Sequence, residues 1–265
     1  MEEQVKIIDN VFRSIYESTK YDKFVILGSL SVIGVEANKI PRNMMMSNDI
    51  DCYTPNDPNA IFDLNDFKEH SKFHHEVGYY IDGCSPNTSS LPVNWAKRAI
   101  KRFIDVGEKN ILLIIPRLDD VAVSKLYRFS DNDKRWIVSG IENKLIDIDN
   151  VYDRIKYCEN EPYENVVRAR KDFLKLLDEN RLPMPCDVFD WKNGEHDFSD
   201  DFNYSIDVNY NADSRQYEIS VFDFQQDKTI GCRKFAFFDK MEKARELLKE
   251  SPTSILKVSK QCLKK

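Results

Sequence analysis

With 265 residues, 42% of them hydrophobic, the chain is long enough to bury a sizeable core in one large domain or two smaller ones. A formal net charge of −6 and a pI near 5.4 argue against broad, charge-driven wrapping of nucleic acid, which needs a surplus of Lys and Arg, and leave room only for local basic patches. Six scattered cysteines (Cys52, Cys84, Cys158, Cys186, Cys232, Cys262), with no C-x-x-C pair and no close His, signal neither a zinc site nor a disulfide framework.

The N-terminal segment "MEEQVKIIDNVFRSIY" lacks the basic start and unbroken apolar run of a signal peptide, and no stretch approaches the roughly 20 apolar residues of a membrane span, so a soluble, cytoplasmic protein with reduced thiols and no membrane partner is expected. Val5, Ile8, Val11, Phe12 and Ile15 recur at helical spacing and predict an amphipathic helix ending near Lys20. A first strand follows at "KFVIL" (23–27) and breaks at Gly28-Ser29. Residues 30–48 read as a helix and then a loop, and "DIDCY" (49–53) as a second strand closed by "TPNDP". "HHEVGYYID" (74–82) is expected as a third strand, "PVNWAKRAIKRFI" (92–104) as a helix or a strand pair, and "NILLIIPR" (110–117) as a short apolar strand. Alternating strands and helices imply an α/β or α+β core over residues 1–117.

From Leu118 the pattern turns helical, in "DDVAVSKLYRF", "DKRWIVSGIENKL", "IDNVYDRIKYC" and "YENVVRARKDFLKLLDEN", a helical region (118–180) packed on the core. Residues 181–202, rich in Pro, Asp and Gly, form the best linker candidate. Beyond it "YSIDVNY", "QYEISVFDF" and "TIGCRKFAFF" predict three strands, and "DKMEKARELLKES" a closing helix that Asp239 could cap, so 203–265 is expected as a small β-β-β-α accessory domain. Within it, Tyr217, Ile219, Val221 and Asp223 share one strand face and Phe222 and Phe224 the other, with Met241, Ala244, Leu247 and Leu248 offered by the helix.

A strand that ends in Gly-Ser and enters a helix presents free backbone N–H groups, lets a ligand approach closely and adds a hydroxyl, all of which suit a phosphate. In the next strand Asp49 and Asp51 project from the same face while Ile50 points to the core. Two such carboxylates can hold Mg²⁺, which shares its oxygen ligands with substrate phosphates. Each piece alone is also an ordinary turn or a pair of solvated acids, and Asp-x-Asp recurs at Asp131–Asp133 and Asp147–Asp149. The order of strand, Gly-Ser, helix, and strand with Asp-x-Asp is the more specific signal.

In that order the chain resembles the nucleotidyltransferase superfamily of DNA polymerase β, whose signature is Gly-Ser followed by Asp-x-Asp. More narrowly, it resembles a bacterial nucleotidyltransferase-like family related to the AbiEii-type toxins of abortive-infection systems. The residues that carry the resemblance are "ILGSLSVIG", "MSNDIDCYTP", "YYIDGCSPNTSSLPVNWAKR" and "LDDVAVSKLYRFSDNDKRW", spanning roughly residues 24–136. It implies a nucleotidyltransferase-like mixed sheet with flanking helices that complete a cleft. It further implies Gly28 and Ser29 as the phosphate-contacting turn, Asp49 and Asp51 as the metal ligands for Mg²⁺, and Lys125 and Asp133 as further active-site residues. The third carboxylate usual in active members, a general base on the acceptor hydroxyl, has Asp82 as its candidate here.

Read from the sequence alone, Lys125 is either a point charge for a triphosphate or part of a solvated face, Arg128 is a candidate second phosphate contact, and Asp133 either pairs with Lys125 or is one acid among several. Asp120 is assigned to capping the helix that begins there. His70, His74 and His75 read as surface residues, Trp95 as a core anchor, and "KRAIKRF" (97–103) as a solvated basic face or an RNA-backbone contact. Two functions compete. One is an enzyme that moves a nucleoside monophosphate from an NTP to a hydroxyl on RNA, tRNA included, or on protein, and by resemblance a toxin or phage-defence component with a cognate antitoxin. The other is a catalytically inactive nucleotide-binding or protein-interaction module.

Overall fold

The computed structural model describes residues 2–185, 197–198, 203–211, 214, 216–236 and 238–255. Most of the 181–202 segment read as a linker lies outside them, as do Cys186, His196 and Cys262. The chain divides into two compact units, 1–172 and 173–265.

The first unit opens with α1 (Glu2–Thr19), which buries the five expected apolar residues, Val5 to Ile15. Five strands follow: β1 (Lys23–Ile26), β2 (Asp49–Tyr53), β3 (Tyr80–Gly83), β4 (Ile100–Asp105) and β5 (Asn110–Ile115). They form one mixed sheet in the order β3-β2-β1-β5-β4. β1 runs antiparallel to β2 and parallel to β5, β2 is parallel to β3, and β4 is antiparallel to β5. Both faces are covered. Phe12 of α1 meets Phe24 with ring centroids 5.1 Å apart. On the opposite face Val25, Leu27, Tyr53 and Cys84 form a buried cluster, and Leu91, Trp95 and Ile114 pack against it half-buried, so Trp95 lies at the core's edge. Because Val25 pairs with Tyr53, the alternation along β2 puts Asp49 and Asp51 on this second face and Ile50 on the first.

Three elements differ from the sequence reading. Residues 29–34 form a six-residue 3-10 helix, followed by two shorter ones (37–39 and 42–45), where a helix and then a loop was expected. Val32 and Ile33 are β-branched, Gly34 ends the segment, and Leu30 to Ile33 are all buried, so packing sets the conformation in place of helix propensity. His74 and His75 lie in a helix, α2 (Lys72–Val77), and the strand begins only at Tyr80. The Ser71 side chain accepts from the His74 N–H, and Gly78 at φ 81° terminates the helix. "WAKR" is a single turn, α3 (Trp95–Arg98), that leads directly into β4, so the basic run 97–103 is no continuous helix face.

Four helices follow the sheet: α4 (Leu118–Arg128), α5 (Asp131–Glu142), α6 (Ile148–Arg154) and α7 (Tyr163–Glu179). Asp120 does not cap α4, whose N-cap is Arg117. Its carboxylate is wholly buried and takes a bidentate bond from Arg98 (2.9 and 3.3 Å) and another from Arg154 (3.1 Å), tying α3, α4 and α6 together.

In the second unit a two-residue β6 (Asp197–Phe198), β7 (Tyr204–Asn211), β8 (Gln216–Asp223) and β9 (Lys228–Phe235) form an antiparallel sheet in chain order, followed by α8 (Phe238–Glu250). β8 buries Tyr217, Ile219, Val221 and Asp223, while Phe222 and Phe224 pair on its other face at 5.6 Å. α8 buries Met241, Arg245 and Leu248. Leu247 is 65% exposed, because six residues after Met241 the helix has turned to its opposite side. The helix starts before Asp239, which therefore lies in its first turn and not at the cap. Among the described residues no helix is long and apolar enough to cross a membrane, and Cys52, Cys84, Cys158 and Cys232 are free thiols.

Candidate active site

Two residues beyond the end of β1 stands Gly28, which has φ 63° and ψ −154°, a conformation open essentially to glycine alone. A Cβ at this position would lie 1.9 Å from Asp51 Oδ2. The missing side chain is thus what lets the Asp51 carboxylate stand over the turn, while the Leu27 N–H donates to the Asp51 carbonyl at 2.8 Å. The parallel pairing of β2 with β3 sets Asp49 beside Tyr80 and Asp51 beside Asp82, so Asp49, Asp51 and Asp82 share one sheet face. Burial, then the charges of Asp49 and Asp82, push the Asp51 carboxyl up to about 6. Asp82 is also raised, by burial and by Asp49 and Glu69. Ser47 steadies Asp49 by donating to its Oδ1.

Opposite these acids stands a cationic wall. α4 ends with Phe129 in a left-handed conformation, and Ser130 begins α5 with a capping box to Asp133. This two-residue turn folds Asp133 back on α4, where it accepts from Lys125 Nζ at 2.9 Å and from Arg128 at 2.6 and 2.8 Å. Burial pushes the Asp133 carboxyl up, but bonds from Arg128 and Ser130 and the Lys125 charge outweigh it and hold the group below the usual carboxylate range. Lys125 is 4% exposed, so it does not belong to a solvated face, and burial lowers its basicity despite Asp133. Its Nζ also donates to Ser29 Oγ at 2.9 Å, which turns the hydroxyl's own hydrogen away from the lysine, and it lies 5.0 Å from the centre of the Trp136 ring. The buried indole N–H of Trp136 has no hydrogen-bond partner in the described structure.

Acids and cations face each other across a cavity of about 840 Å³ whose walls include Ser29, Asp49, Asp51, Asp82, Arg128, Asp133 and Arg135. One acid, Asp133, is shared by two cations, which leaves positive charge on that wall for anionic oxygens. The opposite wall gathers three carboxylates, and burial together with the charges of Asp49 and Asp82 raises Asp51. That donor set fits a divalent cation: Asp49 and Asp51 would hold Mg²⁺ jointly with phosphate oxygens. Among the described residues no three His, Cys, Asp or Glu side chains converge closely enough to form a complete site, His70, His74 and His75 included.

A second cavity of about 280 Å³, lined by Gly28, Lys125 and Glu161 among others, shares the walls of Asp51 and Arg128 with the first. Every site residue named from the sequence (Gly28, Ser29, Asp49, Asp51, Asp82, Lys125, Arg128 and Asp133) lines one or both of these spaces. The sequence reading missed Ser47, Trp136, Arg135 and Glu161. It also missed Ser130, although Ser130-x-x-Asp133 is a legible capping signature. The others carry no local signal.

Searches of curated proteins and of solved structures find no match to this chain. A family model described as "Nucleotidyltransferase of unknown function (DUF6036)" matches residues 3–176, well over half the chain and all of the two cavities. With Gly28-Ser29, the paired strand carboxylates and the Lys125–Asp133 wall all inside that span, the chain belongs to this nucleotidyltransferase family.

Proposed function

We propose that the protein is a Mg²⁺-dependent nucleotidyltransferase that moves a nucleoside monophosphate from an NTP to a hydroxyl on RNA, tRNA included, or on protein. The reading is carried by one observation: three carboxylates on adjacent strands face the cavity that Ser29 and Arg128 also line. Arg128, Arg135 and the Ser29 hydroxyl bind phosphate oxygens on the cationic side. The helix dipole contributes little, since the 3-10 segment after Gly28 is only six residues long.

Asp49 and Asp51 would hold the cation, which when bound would neutralise charge on the phosphoanhydride and on the leaving pyrophosphate. Asp82, the most open of the three acids and already more basic than an ordinary aspartate, takes the proton of the acceptor hydroxyl. The hydroxyl oxygen then bonds to the α-phosphorus, the α–β bridge breaks and pyrophosphate leaves. Lys125 positions Ser29 and Asp133. A toxin or phage-defence role with a cognate antitoxin rests on the resemblance to AbiEii-type proteins.

The test is transfer of label from each α-³²P NTP to total tRNA and to protein, with wild type and with Asp49→Ala/Asp51→Ala. Label transfer that the double variant abolishes while keeping its fold is the expected result. Equal transfer by both proteins overturns metal-dependent catalysis here, and nucleotide binding without any transfer favours the inactive-module alternative.

A further inference from the structure

Apart from Asp51 and Arg128, the smaller cavity is lined by different residues from the larger one. Leu91, Pro116, Val121 and Tyr127 give it an apolar side among otherwise largely polar walls, and at one edge sits the Glu161 carboxylate beside the hydroxyl of Ser90. We propose that this cavity is the nucleobase pocket of the site and that Glu161 selects guanine. The inference rests on the nucleotidyltransferase reading for the presence of a nucleotide, and adds which nucleotide.

Three observations lead there. The cavity adjoins Gly28 and Lys125 and shares Asp51 and Arg128 with the phosphate side, so a nucleotide whose phosphates lie on Arg128 and Ser29 can extend its nucleoside into it. Glu161 repels phosphate, so the phosphates stay with Lys125 and Arg128, while Leu91, Pro116, Val121 and Tyr127 offer apolar contact to the flat faces of a base. At about 280 Å³ it is just under the range of whole-ligand pockets, as expected for a space that takes part of a larger molecule.

The selecting group is also held in place. Glu161 accepts from Ser90 on one oxygen and from Asn165 Nδ2 (2.8 Å) on the other. The loop that carries Ser90 is tied to the segment before Glu161, because Val93 N–H donates to the Tyr157 carbonyl at 2.8 Å and Cys158 Sγ to the Ser90 carbonyl at 3.4 Å. Tyr127 is fixed by its hydroxyl, which donates to the Ile155 carbonyl at 2.6 Å. An ionised carboxylate has about four acceptor positions, so each oxygen of Glu161 can take one more donor. Guanine presents two adjacent donors, N1–H and the 2-amino group, at the spacing of two carboxylate oxygens. Adenine and cytosine set a ring acceptor beside their amino group, and uracil flanks its one N–H with carbonyls, so each places a lone pair against a carboxylate oxygen.

The experiment is calorimetric titration of the full chain with GTP, ATP, CTP, UTP and inosine triphosphate in Mg²⁺, repeated with Glu161→Gln. Wild type is expected to bind GTP most tightly and inosine triphosphate, which lacks only the 2-amino donor, about tenfold or more weaker, in line with loss of one hydrogen bond to a charged group. Glu161→Gln should erase most of that GTP-to-inosine ratio. Equal affinity of wild type for all five nucleotides, tightest binding of a nucleotide other than GTP, or a ratio unchanged in the variant overturns the proposal. The wild-type comparison needs no variant to fold. The assay reads binding alone, so guanine selectivity without transfer would leave this inference standing and remove the catalytic one, and transfer without base selectivity would do the reverse.

Discussion

Replacing Gly28 with Ala puts the central contact of the site under direct test. The backbone there, at φ 63° and ψ −154°, costs about 1–3 kcal/mol for a residue with a Cβ. The new methyl would stand 1.9 Å from Asp51 Oδ2, and real Cβ contacts essentially never fall below 3.0 Å, so the carboxylate or the turn must retreat by roughly 1 Å. A shift of that size at a catalytic group lowers rate on the order of 100-fold. About 2 kcal/mol of strain in a unit of this size lowers Tm by about 4–8 °C. Calorimetric melting and the label-transfer assay read the two effects separately. A double-mutant cycle with Asp51→Ala sharpens the reasoning, because without the carboxylate only the backbone strain remains, and Gly28→Ala should cost less stability in that background. An equal Tm loss in both backgrounds, or a Gly28→Ala protein with unchanged melting and transfer, would refute the close approach of Asp51 to the turn.

Asp133→Ala should lower stability by about 3–5 kcal/mol, measured by urea unfolding, because it strands the 4%-exposed Lys125 without its counter-charge. Lys125→Met with Asp133→Asn should recover much of that loss by removing both charges. Asp120→Ala should cost a similar amount, since it leaves Arg98 and Arg154 facing each other across a buried gap, while Asp120→Asn should fall between it and wild type. For Asp51, whose folded pKa of about 6 lies above the ordinary 3.8, the native chain keeps a proton that the unfolded chain has lost between about pH 4 and 6. Its contribution to stability is therefore present below pH 4 and lost as pH rises through 6, by about 2–3 kcal/mol in metal-free buffer. Asp51→Asn should flatten that slope, and Mg²⁺-dependent nucleotide binding should weaken below pH 6 in the wild type only. A pH-stability profile indifferent to Asp51→Asn would count against the burial of Asp51 beside Asp49 and Asp82.

Much of this protein is decided locally and is legible in the residue order. The five apolar residues of α1 recur at 3.6-residue spacing and are the ones that fold buries. "DIDCY" alternates, so its aspartates had to share a face, and the strand runs over those five residues. Gly28, as the one residue type that accepts its backbone conformation, marks the turn in the residue order itself. Other features were legible in principle but needed a cap to be weighed against a pattern. Ser71 and Gly78 bracket a helix where the run "HHEVGYYID" suggests strand, and Ser130-x-x-Asp133 announces the start of α5.

What only the tertiary structure decided are contacts between residues far apart in the chain, for which spacing and periodicity hold no information. Asp82 reaches the other two acids because β3 happens to pair in parallel with β2, and a slip of one residue in that register would turn it to the other face. Lys125 is buried because the 3-10 segment after Gly28 packs on α4 from nearly a hundred residues away, bringing Ser29 within 2.9 Å. Asp120 reads as a cap in sequence, but burial beside two arginines from α3 and α6 leaves ion pairing as the only way to satisfy its charge. Glu161 had no signal at all, since only the fold sets this single acid of a polar segment at the edge of a cavity beside Ser90 and Tyr127.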